Sequence, residues 1–118
     1  MALLIDDKVV LRDKRLSDAL RQKGFGELKG RELVLDLFEG LYLLEKEKFA
    51  IEDSKTEKGL NEEEVLKYAL KKIKEFYLKY QVFKDLRERG FVVKTGFKFG
   101  FDFRVYPRGK KPGEAHSQ

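Results

Sequence analysis

Between Phe97 and Tyr106 apolar and polar residues alternate. Phe97, Phe99, Phe101, Phe103 and Val105 take the odd positions, and Lys98, Asp102, Arg104 and Tyr106 take even ones. A period of two marks a strand with one greasy face and one polar face. Tyr106 falls with the charged set, so burial among the phenylalanines does not account for it and its hydroxyl is expected to be reachable. The single histidine, His116, follows across a loop punctuated by Pro107, Gly109, Pro112 and Gly113. A phenol and an imidazole thus lie one short loop apart. Few partner strands are encoded around this one, so at least one of its edges is expected to be unpaired or covered by a neighbouring chain.

Upstream, the punctuation predicts a small mixed domain. Leu3, Ile5, Val9 and Leu11 flank Asp6 and Asp7, a polar pair suited to a tight turn, so residues 2–12 read as two short strands. A short helical pattern occupies residues 16–23 and ends at Gly24, with Phe25 and Gly26 continuing as a loop. Residues 32–36 are a strand candidate. An amphipathic helix follows over 37–46, in which Leu37, Leu41 and Leu44 recur at helical spacing. Residues 48–52 return as a strand, and the polar stretch 53–59 reads as a loop. This alternation suggests a mixed α/β domain with an antiparallel sheet.

Asn61 with Glu64 three residues on has the spacing of a capping box, and Val65, Ala69, Ile73, Phe76, Tyr80 and Phe83 form a stripe behind it. The pattern extends to Arg89, where Gly90 ends it. That length exceeds a typical globular helix, which predicts a break between Phe76 and Val82 and a domain boundary near residue 78, dividing the chain into 1–78 and 79–118. Phe76, Tyr77, Tyr80 and Phe83 have the makings of a base-stacking platform, but an aromatic stripe at helical spacing is read here as core. Gly96, Gly100 and Gly109 open no helix and carry no phosphate-binding fingerprint; they read as bends.

With 118 residues and 42% hydrophobic content the chain can bury a core. Charged residues make up 40%, and the Lys and Glu mixed along the helices read as solvated faces, such as a heat-adapted protein carries. The carboxyl end differs. Arg104, Arg108, Lys110 and Lys111 are opposed only by Glu114, which marks a phosphate-facing surface, and the pI of about 9.3 favours a polyanionic partner. The lack of cysteine excludes a disulfide framework, a thiolate zinc site and a thiol nucleophile. One histidine excludes a histidine-based metal cluster within one chain, and neither metal nor cofactor is expected. Asp102 is the acid that would suggest a metal-dependent nuclease, but no Glu-x-Lys follows it. The apolar start at residues 1–5 is too short for a signal peptide and no run approaches a membrane span, so a cytoplasmic protein without a membrane partner is expected.

Lys-Thr-Gly at 94–96, Asp-Phe-Arg-Val-Tyr at 102–106 and His-Ser at 116–117, in that order, resemble the archaeal tRNA-intron (splicing) endonucleases. Phe38-Glu-Gly-Leu-Tyr-Leu-Leu44 looks like the helix of that family's amino-terminal domain, and residues 79–91 look like its interdomain helix. The resemblance implies an α+β fold: a small N-terminal α/β domain with an antiparallel sheet, then a helix and the first strands of a nuclease-type catalytic domain. It also implies a Tyr, His and Lys triad that cuts precursor tRNA at a bulge-helix-bulge. Tyr106 and His116 match two members. In the family the lysine lies after further strands, and Lys110 and Lys111 do not match its position. The chain is therefore expected to hold an incomplete catalytic domain that lacks the family's lysine.

RNA carries its own nucleophile, the 2′-hydroxyl beside the scissile phosphate, so a catalyst need only take that proton, protonate the 5′ oxygen and steady the charge between. By the resemblance Tyr106 is the general base and His116 the general acid, leaving a 2′,3′-cyclic phosphate and a 5′-hydroxyl. A free phenol titrates near ~10 and needs nearby cations, such as Arg104 and Arg108, to act as a base. Imidazole, at about 6.5, is suited to shuttle a proton. The implied partners are precursor tRNA and further copies of the chain, as dimer or tetramer, because two splice sites must be engaged. The rivals are a non-catalytic or RNA-binding subunit of such an assembly, and a plain protein-interaction domain. The joint presence of Tyr106 and His116 favours the enzyme.

Overall fold

The computed structural model describes residues 1–95 and 103–107. Its first region is a six-stranded sheet. β1 (Ala2–Ile5) and β2 (Lys8–Leu11) form the expected hairpin, turned at Asp6, which takes the left-handed backbone (φ 55°) that Asp tolerates better than most residues. α1 (Lys14–Gln22) starts at Asp13, whose carboxylate accepts from Leu16 N at 3.1 Å. Behind it come β3 (Glu27–Lys29) and β4 (Glu32–Asp36), α2 (Leu37–Glu45), β5 (Ile51–Asp53) and β6 (Gly59–Leu60). The strand order is β3-β4-β2-β1-β5-β6.

Three differences from expectation have local causes. The sheet is antiparallel except between β1 and β5, which run parallel from Ala2 opposite Ile51. The strand expected over 48–52 is therefore displaced to Ile51–Asp53: Lys48 N still closes the end of α2 on Leu43 O, and pairing with β1 begins only after Ala50 O accepts from Ala2 N. β3 was not foreseen, because its three residues are all exposed and carry no alternation.

α2 is buried over Leu37 to Leu43, with the sheet on one side and α3 (Glu62–Lys72) and α4 (Phe76–Glu88) on the other. Gly40 makes this approach possible, since a Cβ there would lie 2.5 Å from a Val9 methyl. The capping box at Asn61 forms as the spacing predicts, with Glu64 N donating to Asn61 Oδ1 at 2.8 Å and Asn61 N to Glu64 Oε1 at 2.9 Å. The helix break is present but lies earlier than the predicted 76–82. Ile73 is extended (φ −125°, ψ 123°) and Glu75 left-handed (φ 56°). This turn swings Phe76 onto Phe38, with ring centroids 4.7 Å apart, so packing sets its position and no Gly or Pro announces it. Phe76, Tyr80 and Phe83 are core, as the stripe predicts, whereas Tyr77 faces solvent.

The second region is a two-stranded antiparallel sheet of β7 (Val92–Thr95) and β8 (Phe103–Tyr106). Among the described residues β8 pairs with β7 alone. Phe103 joins the first region's core, edge-on to Phe38 at 5.3 Å. Val105 keeps its predicted place on the face of Phe103, opposite the buried Val93, but is itself 46% exposed. Among the described residues no helix is long and apolar enough to cross a membrane. The alternating positions 97–101 lie outside the described residues.

Candidate functional site

The register of the second sheet decides what its faces present. Val92 opposes Tyr106 and Lys94 opposes Arg104, so these four share one face of the sheet, while Phe103 turns the other way into the aromatic core. Arg104 and Tyr106 accordingly line a cleft of about 680 Å³ between this sheet and the β3–β4 end of the first region. Tyr106 is half-buried there.

Close contact between the two regions needs Gly24. Its backbone is left-handed (φ 84°), and a Cβ would lie 2.7 Å from both Val92 methyl groups. Only a bare backbone lets β7 pass so near the end of α1.

Five cations reach the cleft: Lys8, Arg21, Lys29, Lys94 and Arg104. Glu27, Asp36 and Glu39 oppose them, and two of these acids are engaged in the floor. Asp36 caps α2 by accepting from Glu39 N at 2.8 Å, and Glu39 returns the bond by accepting from Asp36 N at 3.1 Å. Burial, then the neighbouring Glu39 charge, pushes the Asp36 carboxyl up to about 7. Glu39 also accepts from Lys94 Nζ at 3.1 Å and from Gly26 N at 2.9 Å. Arg87, at the end of α4, stacks its guanidinium 3.7 Å over the Phe25 ring and donates to the Lys23 and Gly24 carbonyls at 3.0 and 2.8 Å. Burial lowers its pKa, and the Glu39 and Asp36 charges oppose that shift. With Glu39 occupied by Lys94, the cleft presents a positive surplus suited to a phosphate backbone.

Of the residues singled out from sequence, Tyr106 and Arg104 come together on β8. His116, Arg108, Lys110 and Lys111 lie outside the described residues. Sequence reasoning did not single out Glu39, Arg87 or Lys94 as a cluster. Asp36 followed by Glu39 before an apolar run has capping-box spacing and was the available signal for the first. Nothing local marks Arg87, whose partners are 63 and 64 positions away.

Comparison with known proteins adds three findings. Residues 1–66 match the family model for the N-terminal domain of tRNA intron endonuclease, and residues 76–118 match that for its catalytic C-terminal domain. The tRNA-splicing endonuclease of Pyrococcus abyssi is 43% identical over 95 residues, covering 80% of this chain and 55% of the relative. That of Methanococcus maripaludis is 39% identical over 117 residues, covering 99% of this chain and 65% of the relative. The chain thus spans between 55% and 65% of the length of these two relatives.

Proposed function

Because the chain belongs to the tRNA intron endonuclease family, we propose that the protein cuts precursor tRNA at its exon–intron boundaries, at a bulge-helix-bulge. The observation that carries this reading is the half-buried Tyr106 on the polar face of β8, beside Arg104 in a cleft with a cationic surplus. In this reading residues 1–78 are the N-terminal domain and 79–118 the start of the catalytic domain. The two family spans, on either side of residues 67–75, support that division.

The chemistry needs no metal. Tyr106 takes the proton from the 2′-hydroxyl; the 2′ oxygen forms a bond to phosphorus as the bond to the 5′ oxygen breaks; His116 gives that oxygen a proton. The products are a 2′,3′-cyclic phosphate and a 5′-hydroxyl. Arg104, Arg108, Lys110 and Lys111 neutralise backbone phosphates, and Lys110 and Lys111 are assigned to that role rather than to a catalytic triad. A homo-oligomer presents two such sites to two splice junctions, in the cytoplasm.

The test is cleavage of a bulge-helix-bulge RNA in EDTA by the intact protein. Tyr106→Phe and His116→Ala should each slow cutting about 100-fold to 10,000-fold while RNA binding stays near that of the parent. Undiminished cutting in both variants rejects the roles. Tight binding with no cutting by the parent favours a non-catalytic subunit.

A further inference from the structure

The two regions meet at Glu39. Its side chain is only 3% exposed, and each of its partners comes from a different part of the chain: Gly26 N from the loop before β3, Lys94 Nζ from β7 and, at 3.8 Å, Arg87 Nη2 from α4. Lys94 also donates to Gly26 O at 3.1 Å, and Arg87 to Val93 O at 3.3 Å. Lys94 belongs to β7, Arg87 to the end of α4, and the carboxylate to α2. Phe103 of β8 packs against Phe38 and Phe83, an apolar contact that tolerates sliding and rotation. Hydrogen-bonded charges do not, because a displaced partner leaves a buried carboxylate uncompensated.

Lys94 is bound in register to Arg104, and Tyr106 lies two residues further on the same face. A strand transmits a shift at one position to the next along its length. We propose that the Glu39–Lys94 ion pair is the positioning device of the site: it fixes the tilt and register of β7–β8 on α2 and so holds the Tyr106 hydroxyl over the cleft. Lys94 is a positioning residue rather than an RNA contact, since two of its three ammonium donors are taken by Glu39 and the Gly26 carbonyl and its side chain is 17% exposed. The consequence for cleavage rests on the reading of Tyr106 given above; the structural half does not.

Two variants of the intact protein test this, Lys94→Met and Lys94→Arg, each read by amide hydrogen exchange and by cleavage kinetics. In Lys94→Met the amides of β7 and β8 should exchange at least about tenfold faster, while those of β1, β2 and β4 keep their protection. Cleavage should lose about tenfold to 100-fold in kcat with KM within about twofold, and Lys94→Arg should restore most of both. Unchanged exchange in β7 and β8, or equal acceleration across the first sheet, overturns the proposal. A raised KM at constant kcat also overturns it, because Lys94 would then be touching RNA. A parent that does not cut RNA removes the reading of Tyr106, and the exchange result then decides the positioning by itself.

Discussion

The two sheets are stabilised in different ways. The first has six strands and its own apolar filling: Leu11, Leu33, Leu35 and Ile51 are buried from β2, β4 and β5, and α2 lies across them. The second has two strands of four residues, of which Val93 is buried while its partner Val105 is 46% exposed. A two-stranded sheet is marginal by itself in water. β7–β8 owes its place to the buried Val92 and Val93, to the Phe103 ring and to a cluster of charges anchored on α2. The region that carries the candidate chemistry can therefore loosen while the region that supports it stays folded.

The largest perturbation should abolish that contrast. Phe38 touches Phe76, Phe83 and Phe103, so Phe38→Ala opens a cavity shared by both regions and should cost about 3–5 kcal/mol, seen as a lower denaturation midpoint with both sheets melting together. A loss of stability confined to one of the two sheets would show that the cavity is not shared between them. A smaller change should sharpen the contrast. Gly24→Ala places a Cβ in a left-handed residue and against the Val92 methyls, and should cost about 1–3 kcal/mol, with faster exchange confined to β7 and β8. Exchange spread evenly over the first sheet would count against the division.

The junction also titrates. The Asp36 carboxyl is raised from 3.8 to about 7, so the folded chain holds that proton more tightly than the unfolded one. Below the lower value both states are protonated and the group costs nothing; as pH rises through the window the folded state is progressively penalised, and above about 7 the penalty is complete. Asn at this position cannot titrate, and its oxygen can still accept from Glu39 N. The melting temperature of Asp36→Asn relative to the parent should therefore climb between pH 4 and pH 7 and then level off. A difference that does not vary with pH would contradict the buried carboxyl.

Much of the frame was readable without coordinates, because the signals were local. The Asp6–Asp7 hairpin, the strand ahead of α2, the Asn61–Glu64 box and the Gly90 stop each depend on neighbours within a few residues. The same locality explains the misplacements. The turn at Ile73–Glu75 and the start of β5 are set by contacts with Phe38 and with β1, which no nearby residue encodes. For the site, alternation placed Tyr106 and Arg104 on the polar face but could not show which other charges meet them.

Residue order alone determined the α+β class, the family, the spacing of Tyr106 and His116 along the chain, and the basic carboxyl end, since each is written in spacing or composition. The docking of β7 on α2 through Glu39, Arg87 and Lys94 emerged only once the chain had folded. Ion pairs between residues more than forty positions apart depend on a low-dielectric interior that forms when the sheets and helices pack, and before packing each of those charges is solvated like any other.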